Sequence, residues 1–282
     1  MPTYKDALKI NERYALDNDK EPSAVKLLML HHANMRSADL LNHLEDEMEK
    51  ETYDKFLRSV NQYVVDNKPV QYITGNEYFY GHNFCVNKDV LIPRYETEEL
   101  IGYILDLKQS YFKDQPIKLL DVGTGSGCLA ITLNIEDPTI DVHATDISQK
   151  AIAVAQQNND DLKGHVTFHH GDLLEPVKGE KFDMLISNPP YIPDSEYVEA
   201  LVKDHEPHIA LFGGEDGLEY YRRILQEAEK ILNDRYIIAF EHAYDKAHQI
   251  KKLAKKHLKQ IRIIQKKDMQ GKDRMMFILK KT

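Results

Sequence analysis

The chain has 282 residues, 29% of them charged and 42% hydrophobic, which supplies a core for one large or two ordinary domains and excludes a disordered or fibrous class. No apolar run approaches the ~20 residues that span a bilayer and the first 20 residues lack an apolar leader core, so a membrane or secreted protein is not expected. A net charge of −9 argues against a protein whose main affinity comes from neutralising phosphates, and the two cysteines, Cys85 and Cys128, cannot build a disulfide framework and point to a reducing cytoplasm.

Residues 1–68 read as a helical bundle. Ala7, Leu8, Tyr14 and Leu16 mark one helix, and Val25, Leu27, Leu28, Met29 and Leu30 a second, with Ser23 as its expected cap. Ser37 is expected to cap a third, and Phe56, Leu57, Val60, Tyr63 and Val64 recur at helical spacing in a fourth. From Pro69 the pattern changes. Residues 71–75 read as extended and 78–86 as two strands around a turn at Gly81, so 69–90 is expected to be a linker carrying a β-hairpin.

From Lys118 short apolar strands (118–122, 141–145, 166–169, 182–187) alternate with helical patterns (129–135, 149–158). Strands separated by helices of that length imply βαβ units and a mostly parallel sheet, so 91–282 is expected to be one Rossmann-like α/β domain. A helix over 217–232, a strand over 236–241, a helix over 243–257 and a closing antiparallel hairpin (261–265, 275–279) follow. Charge is uneven along the chain. Residues 1–85 carry 10 Lys and Arg against 14 Asp and Glu, whereas 246–282 carry 13 against 2. That basic stretch alternates with apolar residues, as a solvated face of a half-buried helix and strands does; contact with RNA or an acidic partner is the other reading.

Where the first strand of this sheet meets its helix stand Gly123, Thr124, Gly125, Ser126 and Gly127. Glycines there let a ligand lie against the backbone beside the unpaired N–H groups of a helix start. No Lys-Ser/Thr pair follows, so this is not a Walker loop, and the G-x-G-x-G spacing departs from the dinucleotide fingerprint. About twenty residues on, Asp146 ends the next strand, where a carboxylate can take both hydroxyls of a ribose; capping the helix that begins at Ser148 is the plainer role. Asp172 and Leu173 follow the third strand, placed to meet an adenine. An adenosyl ligand fits this set.

The strand 182–187 runs into Asn188, Pro189, Pro190 and Tyr191. Two successive prolines fix φ and remove two donors, leaving a rigid loop whose Asn188 side-chain oxygen and Pro189 carbonyl can grip both hydrogens of a planar NH2 group. Tyr191 adds an aromatic face for a planar amide or base. Holding those hydrogens aims the nitrogen at an electrophilic methyl and stabilises the positive charge that grows on it, so no strong base is needed before attack. A rigid loop without function is the plainer alternative.

Taken with residues 69–75, 90–98, 206–207, 210–217 and 267–274, these motifs resemble the class I S-adenosylmethionine-dependent methyltransferases, and among them the protein-(glutamine-N5) methyltransferases that modify peptide chain release factors (the PrmC/HemK family). The resemblance covers nearly the whole chain. Asn-Pro-Pro-Tyr alone is shared with DNA and RNA amino-methyltransferases; the segment before it and the loop at residues 213–217 are more specific. The resemblance implies a class I methyltransferase sheet with an N-terminal helical substrate-docking domain, and S-adenosylmethionine as cofactor, with S-adenosylhomocysteine as product. It implies Gly123 to Gly127 at the methionine part, Asp146 at the ribose, and Asp172 and Leu173 at the adenine. Asn188 to Tyr191 would hold the glutamine of a release factor's Gly-Gly-Gln motif, with Arg94, Glu96 and Thr97 bordering the site or tying hairpin to sheet. Class I release factors are the implied partners, with a monomer as the default. Tyr95 departs from the proline more usual in the family, and Leu173 from a larger aromatic, which leaves the adenine wall open.

Two other functions compete. A nucleic-acid amino-methyltransferase would use the same tetrapeptide, but the acidic N-terminal region and the lack of an Arg/Lys-rich recognition region count against it. A non-catalytic scaffold that holds release factors is disfavoured by the intact tetrapeptide. No metal is expected, because the paired histidines (His31-His32, His169-His170) point in different directions. Cys128 reads as a small buried helix residue and Gly213-Gly214-Glu215-Asp216-Gly217 as a loop or lid at the substrate opening.

Overall fold

The computed structural model describes residues 1–281, without the side chains of Ala200 and Leu201; Thr282, the end of the last expected domain, lies outside the described residues. The chain divides into two compact units, Met1–Asn76 with Val198–His205, and Glu77–Tyr197 with the chain from Glu206 onward. The division falls within the segment 69–90. Among the described residues no helix is long and apolar enough to cross a membrane.

The first unit is built from α1 (Tyr4–Leu16), α2 (Pro22–Ala33), α3 (Ser37–Asn42), α4 (Lys50–Val64) and α5 (Val70–Thr74). Ala7, Leu28, Met29, Phe56 and Val60 are fully buried at its centre, the apolar stripes of α1, α2 and α4. Three local expectations are corrected. Ser23 lies inside α2, which Glu21 precedes as N-cap without a side-chain bond and which Pro22 opens, since a first-turn proline loses no helical hydrogen bond. Ser37 is likewise already helical; Asp39 Oδ2 accepts from Arg36 N (3.1 Å) instead. Residues 71–74 are helical, not extended. Their β-branched and aromatic side chains favour a strand, but Pro69 starts and a left-handed Gly75 (φ 77°) stops a single turn that buries Val70 and Tyr72.

The second unit begins with the hairpin, whose strands are β1 (Asn76–Phe79) and β2 (His82–Cys85). Next comes α6 (Tyr95–Phe112), 18 residues for which periodicity gave no expectation. It buries Leu100, Ile101, Ile104 and Phe112 while half-burying Tyr103, Leu105 and Leu107, so no clean polar stripe marks it. Alternation follows as expected: β3 (Ile117–Val122), α7 (Cys128–Glu136), β4 (Ile140–Asp146), α8 (Gln149–Asp161), β5 (Thr167–His170) and β6 (Phe182–Ser187). A short helix of the first unit, α9 (Ala200–Lys203), precedes α10 (Glu219–Ile231), β7 (Leu232–Glu241), α11 (Ala247–His257), β8 (Ile261–Lys267) and β9 (Asp273–Lys280).

The seven-stranded sheet has the order β5-β4-β3-β6-β7-β9-β8, parallel from β5 through β7 and antiparallel at β7-β9-β8. Leu119, Val142, Met184, Ile186, Ile237 and Phe277 face one core with α6, α7 and the hairpin's Phe79 and Phe84. Leu120, Leu185, Ile238, Phe240 and Ile278 face the other, with α10 and α11. Strands buried on both faces give the unbroken apolar runs of the sequence. The order runs outward in opposite directions from the β3–β6 pair. Open α/β sheets bind ligands at such a reversal, beyond the carboxyl ends of the strands.

One side chain ties hairpin, glycine loop and α8 together. Asn158, 1% exposed, accepts from Cys85 N (2.7 Å) and donates to Cys85 O (3.0 Å) and Ser126 O (2.9 Å). Asn158→Ala strands three backbone groups and is expected to cost about 2–4 kcal/mol, seen as a lower urea midpoint at constant m-value. An unchanged midpoint would contradict this account of the clamp.

Candidate active site

The site is assembled at the carboxyl ends of β3, β4, β5, β6 and β7. β3 and β6 pair in register (Asp121 with Ile186), and Ser187 Oγ donates to Val122 O (2.6 Å), so the chain leaves both strands side by side. Past β3, Gly123 N and Thr124 N both donate to Thr145 O (2.8 and 3.0 Å) and Gly125 N donates to Asp146 Oδ2 (2.9 Å). The loop is thereby bent against the end of β4 before α7 starts. Gly123 and Gly125 have positive φ (77° and 57°), and a Cβ on either would meet open space, so their backbone forms an uncovered wall.

Two hollows meet there. The larger opens onto solvent, about 850 Å³ with its mouth included, and Gly123, Gly125, Asp146, Asp172, Leu173 and Asn188 line it. The smaller, about 410 Å³, reaches the opposite side of the loop, where Arg94, Thr97, Asp121, Thr124 and Ser126 line it. Gly123, Gly125 and Asn188 border both. Gly127 lies deeper, where a Cβ would come within 2.7 Å of Ile131 Cδ1; its place is the helix junction.

Four carboxylates are drawn into this region, each held by polar hydrogens. Asp146 accepts from Gly125 N and from Ser148 N (2.8 Å); burial nevertheless raises its pKa against those bonds. Ser148 Oγ, not Asp146, caps α8 through Ala151 N (3.2 Å). Asp121, 1% exposed, accepts from Thr124 Oγ1 at 2.7 Å, while its buried Oδ1 has no partner among the described residues. Burial first, and the nearby Asp146 charge less, push it up to about 7. Glu206, 2% exposed at its side chain, takes Arg94 Nη2 (2.6 Å) and Ile92 N (3.3 Å). Asp172 is ion-paired with Arg223 of α10 over the larger hollow.

Asn188 leaves β6 with Nδ2 donating to Thr97 Oγ1 (3.3 Å), and Thr97 donates to Glu241 Oε2 (2.7 Å) at the end of β7. Thr97 and Glu241 are 3% and 2% exposed. Burial pushes Glu241 up to about 7; Thr97, Arg274 and Asn188 oppose this and Glu96 adds to it. Pro189 and Pro190 line the larger hollow. Tyr191 turns from it toward the core shared with α10; burial, then Glu241, push its phenol up to about 12. Glu96 lines neither hollow; it is near enough to Glu241 to raise its pKa, and it accepts from Gln270 Nε2 (3.2 Å).

The loop at residues 213–217 clasps the tetrapeptide's backbone. Gly213 N donates to Ile192 O (2.8 Å), Ile192 N to Leu211 O (3.1 Å) and Asp194 N to Gly214 O (3.0 Å). A Cβ on Gly213 would lie 2.4 Å from Pro190 O, and one on Gly217 2.3 Å from Tyr191 O. Glycine is required at both for that approach.

Sequence reasoning missed Glu241 and Arg223, and gave Glu206 only within the matching segment 206–207, with no role. An acid closing the all-apolar run Ile237 to Phe240 of a central strand was a usable signal for Glu241; the other two are joined to the site only through tertiary packing. Elsewhere, His143, His169 and Glu180 bring one ligand atom each within 4.8 Å. His143 Nδ1 and His169 Nε2 are 2.9 Å apart with near-coplanar rings 5.2 Å between centroids, so their nitrogens point at each other and not at a third point. Lys118 Nζ holds Glu180 at 2.5 Å. That cluster is closed on itself. Cys128 is raised to about 12, mainly by burial, and stays a thiol.

Residues 107–210 match the family model of the methyltransferase small domain, and residues 12–75 that of the PrmC N-terminal domain. The chain is 39% identical to a release factor glutamine methyltransferase of Bacillus subtilis, covering 99% of this chain and 98% of that one. It is 38% identical to one of Bacillus cereus over 96% and 97%. A methyltransferase structure from Pyrococcus furiosus, 17% identical, covers 83% of this chain and 100% of its own with a TM-score of 0.53, a likeness of fold. With such identity along almost its full length, on a class I methyltransferase fold, the chain belongs to the release factor glutamine methyltransferase family.

Proposed function

We propose that this protein transfers a methyl group from S-adenosylmethionine to the side-chain amide nitrogen (N5) of the glutamine in the Gly-Gly-Gln motif of class I peptide chain release factors, in the cytoplasm. The observation that carries this reading is the position of Asn188, which borders both hollows beside the bare backbone of Gly123 and Gly125. One group can then lie along the glycines while another meets Asn188. The names of the near full-length relatives supply the substrate.

The residues present fit the cofactor. Asp121 has a buried, unpartnered Oδ1 and lines the smaller hollow, an acceptor suited to an ammonium donor. Asp146 and Asp172 line the larger hollow beside Leu173, where carboxylates suit hydroxyl and amine donors and an apolar side chain suits a ring face. On this reading Gly123 to Gly127 take the methionine part, Asp146 the ribose, and Asp172 with Leu173 the adenine. When bound, S-adenosylmethionine supplies an electrophilic methyl on a sulfonium.

The protein's own residues then handle the acceptor. An amide nitrogen shares its lone pair with its carbonyl and is a poor nucleophile. Asn188 Oδ1 and the Pro189 carbonyl take its two hydrogens, fix its direction and stabilise the positive charge that grows as the N–C bond forms. The proton departs after transfer, so a basic side chain at the nitrogen is not needed. Arg94, held by Glu206, and Glu96 would meet the acceptor peptide, while Tyr191 fixes the loop from behind. The N-terminal helical unit would dock on another part of the release factor.

Mass spectrometry of a class I release factor incubated with the protein and S-adenosylmethionine is expected to show one added methyl on the Gly-Gly-Gln glutamine, lost by at least ~100-fold with Asn188→Ala. Label on duplex DNA or ribosomal RNA with an unmodified release factor would overturn the reading in favour of a nucleic-acid amine. Asp146→Ala frees Gly125 N and Ser148 N. It is expected to weaken S-adenosylmethionine binding by roughly 10–100-fold in calorimetry; unchanged affinity would remove Asp146 from the cofactor site.

A further inference from the structure

An asparagine amide has two ends of nearly equal size, and only one of them can hold an NH2 group. If Asn188 presented its own Nδ2 to the acceptor amide, donor would face donor and the nitrogen would be repelled from the methyl. Something must choose the end. Proline neighbours fix the Asn188 backbone but do not decide which way its amide is turned.

We propose that Thr97, itself directed by Glu241, is the positioning residue that sets the orientation of the Asn188 amide for methyl transfer. The inference rests on the reading of Asn188 as the acceptor-holding residue. Its warrant is the direction of the hydrogens. Thr97 Oγ1 lies 2.7 Å from Glu241 Oε2 and 3.3 Å from Asn188 Nδ2. An ionised carboxylate only accepts, so the single hydroxyl hydrogen of Thr97 must point at Glu241. Its lone pairs then face Asn188, and only Nδ2 can answer them. The oxygen of the amide is left for the hollow. The nearby Asn188 amide in turn favours the ionised form of Glu241.

Both members of the chain are built for this rather than placed by accident. Thr97 lies in the first turn of α6, which Arg94 precedes as N-cap, and its side chain is buried with 3% exposure. Glu241 ends the strand next to β6, 2% exposed, with Tyr221 Oη donating to its backbone oxygen at 2.7 Å. A carboxylate in such a place costs stability, which the Thr97 hydrogen bond offsets in part. The groups around it are Arg274 of β9, Glu96 of α6, Tyr191 and Asn188 after β6, Tyr221 of α10 and Cys128 of α7.

The test compares Thr97→Val with Thr97→Ser at pH 8, above the value of about 7 to which burial pushes Glu241. Valine keeps the volume and loses the hydroxyl; serine loses a methyl and keeps it. A packing role favours valine, an orienting role favours serine. The expected result is kcat reduced roughly 10–100-fold in Thr97→Val and within about 3-fold of the parent in Thr97→Ser. KM for the release factor and calorimetric affinity for S-adenosylmethionine should hold in both. Glu241→Leu removes a buried charge and releases the hydroxyl to donate to Asn188 Oδ1, so kcat should fall as far as in Thr97→Val while thermal stability does not drop. The double variant should fall no further than either single one. Valine outperforming serine, or additive losses in the double variant, would overturn the inference. Asn188→Ala runs in parallel: activity retained there sinks the reading of Asn188 itself, whereas activity lost there but kept in Thr97→Val sinks only the role of Thr97.

Discussion

The arrangement depends on one adjacency, the parallel pairing of β3 with β6. These strands are neighbours in the sheet though β4 and β5 separate them in sequence; Asp121 pairs with Ile186 and the Ser187 hydroxyl closes onto Val122 O. Two chain segments with opposite demands therefore leave the sheet side by side. One must be bare backbone, and glycine supplies it; the other must be rigid and poor in donors, and Pro189 and Pro190 supply that. A slip of one residue in this pairing would exchange the faces of every side chain on β6 and separate the glycine loop from Asn188. Such a slip is opposed by the apolar contacts of Leu119 and Met184 on one face and Leu120 and Leu185 on the other.

Around that junction the protein accepts the cost of burying carboxylates. Asp121, Asp146, Glu206 and Glu241 are each supplied with N–H or O–H donors, from backbone at Gly125, Ser148 and Ile92 and from side chains at Thr124, Arg94 and Thr97. Unpaired, each would neutralise or unfold its surroundings. Paired, they fix loops that contain few apolar anchors. Asp146 shows the economy: one carboxylate shapes the glycine loop, holds the turn into α8 and still lines the larger hollow. The clasp of Gly213 and Gly217 on the tetrapeptide does with backbone what these acids do with side chains.

Much of this was legible in the residues. The alternation of strand and helix, the closing hairpin, the glycine loop and Asn188 to Tyr191 follow from local pattern, because strands buried on two faces and turns built from Gly and Pro carry their own signatures. What was not legible is instructive. α6 is half-buried nearly all round, so it lacks an amphipathic period, and Thr97 was placed near the site by the resemblance alone, without its bonds to Asn188 and Glu241. Glu241 and Asn188 are 53 positions apart and meet only because β7 pairs with β6. The turn at α5 was misread because its side chains favour a strand while Pro69 and Gly75 enforce a helix; boundary residues outweighed composition over so short a segment. Capping serines failed for a similar reason, since Pro22 and the Asp39 carboxylate did that work first.

On the proposed reading, the acceptor site selects by counting hydrogens. Asn188 Oδ1 and the Pro189 carbonyl are both satisfied by a primary amide and by an exocyclic amine of a base, but a hydroxyl or a secondary amide leaves one of them without a partner, at a cost of about 1–3 kcal/mol. By the same count a methylated product, with one hydrogen fewer, would leave one acceptor without a partner, which disfavours a second transfer. It also shows what these two acceptors cannot do, which is to tell glutamine from adenine or cytosine. That discrimination must come from surfaces outside these two acceptors, such as Arg94 in the smaller hollow, which would meet the parts of the substrate that a glutamine side chain and a base do not share.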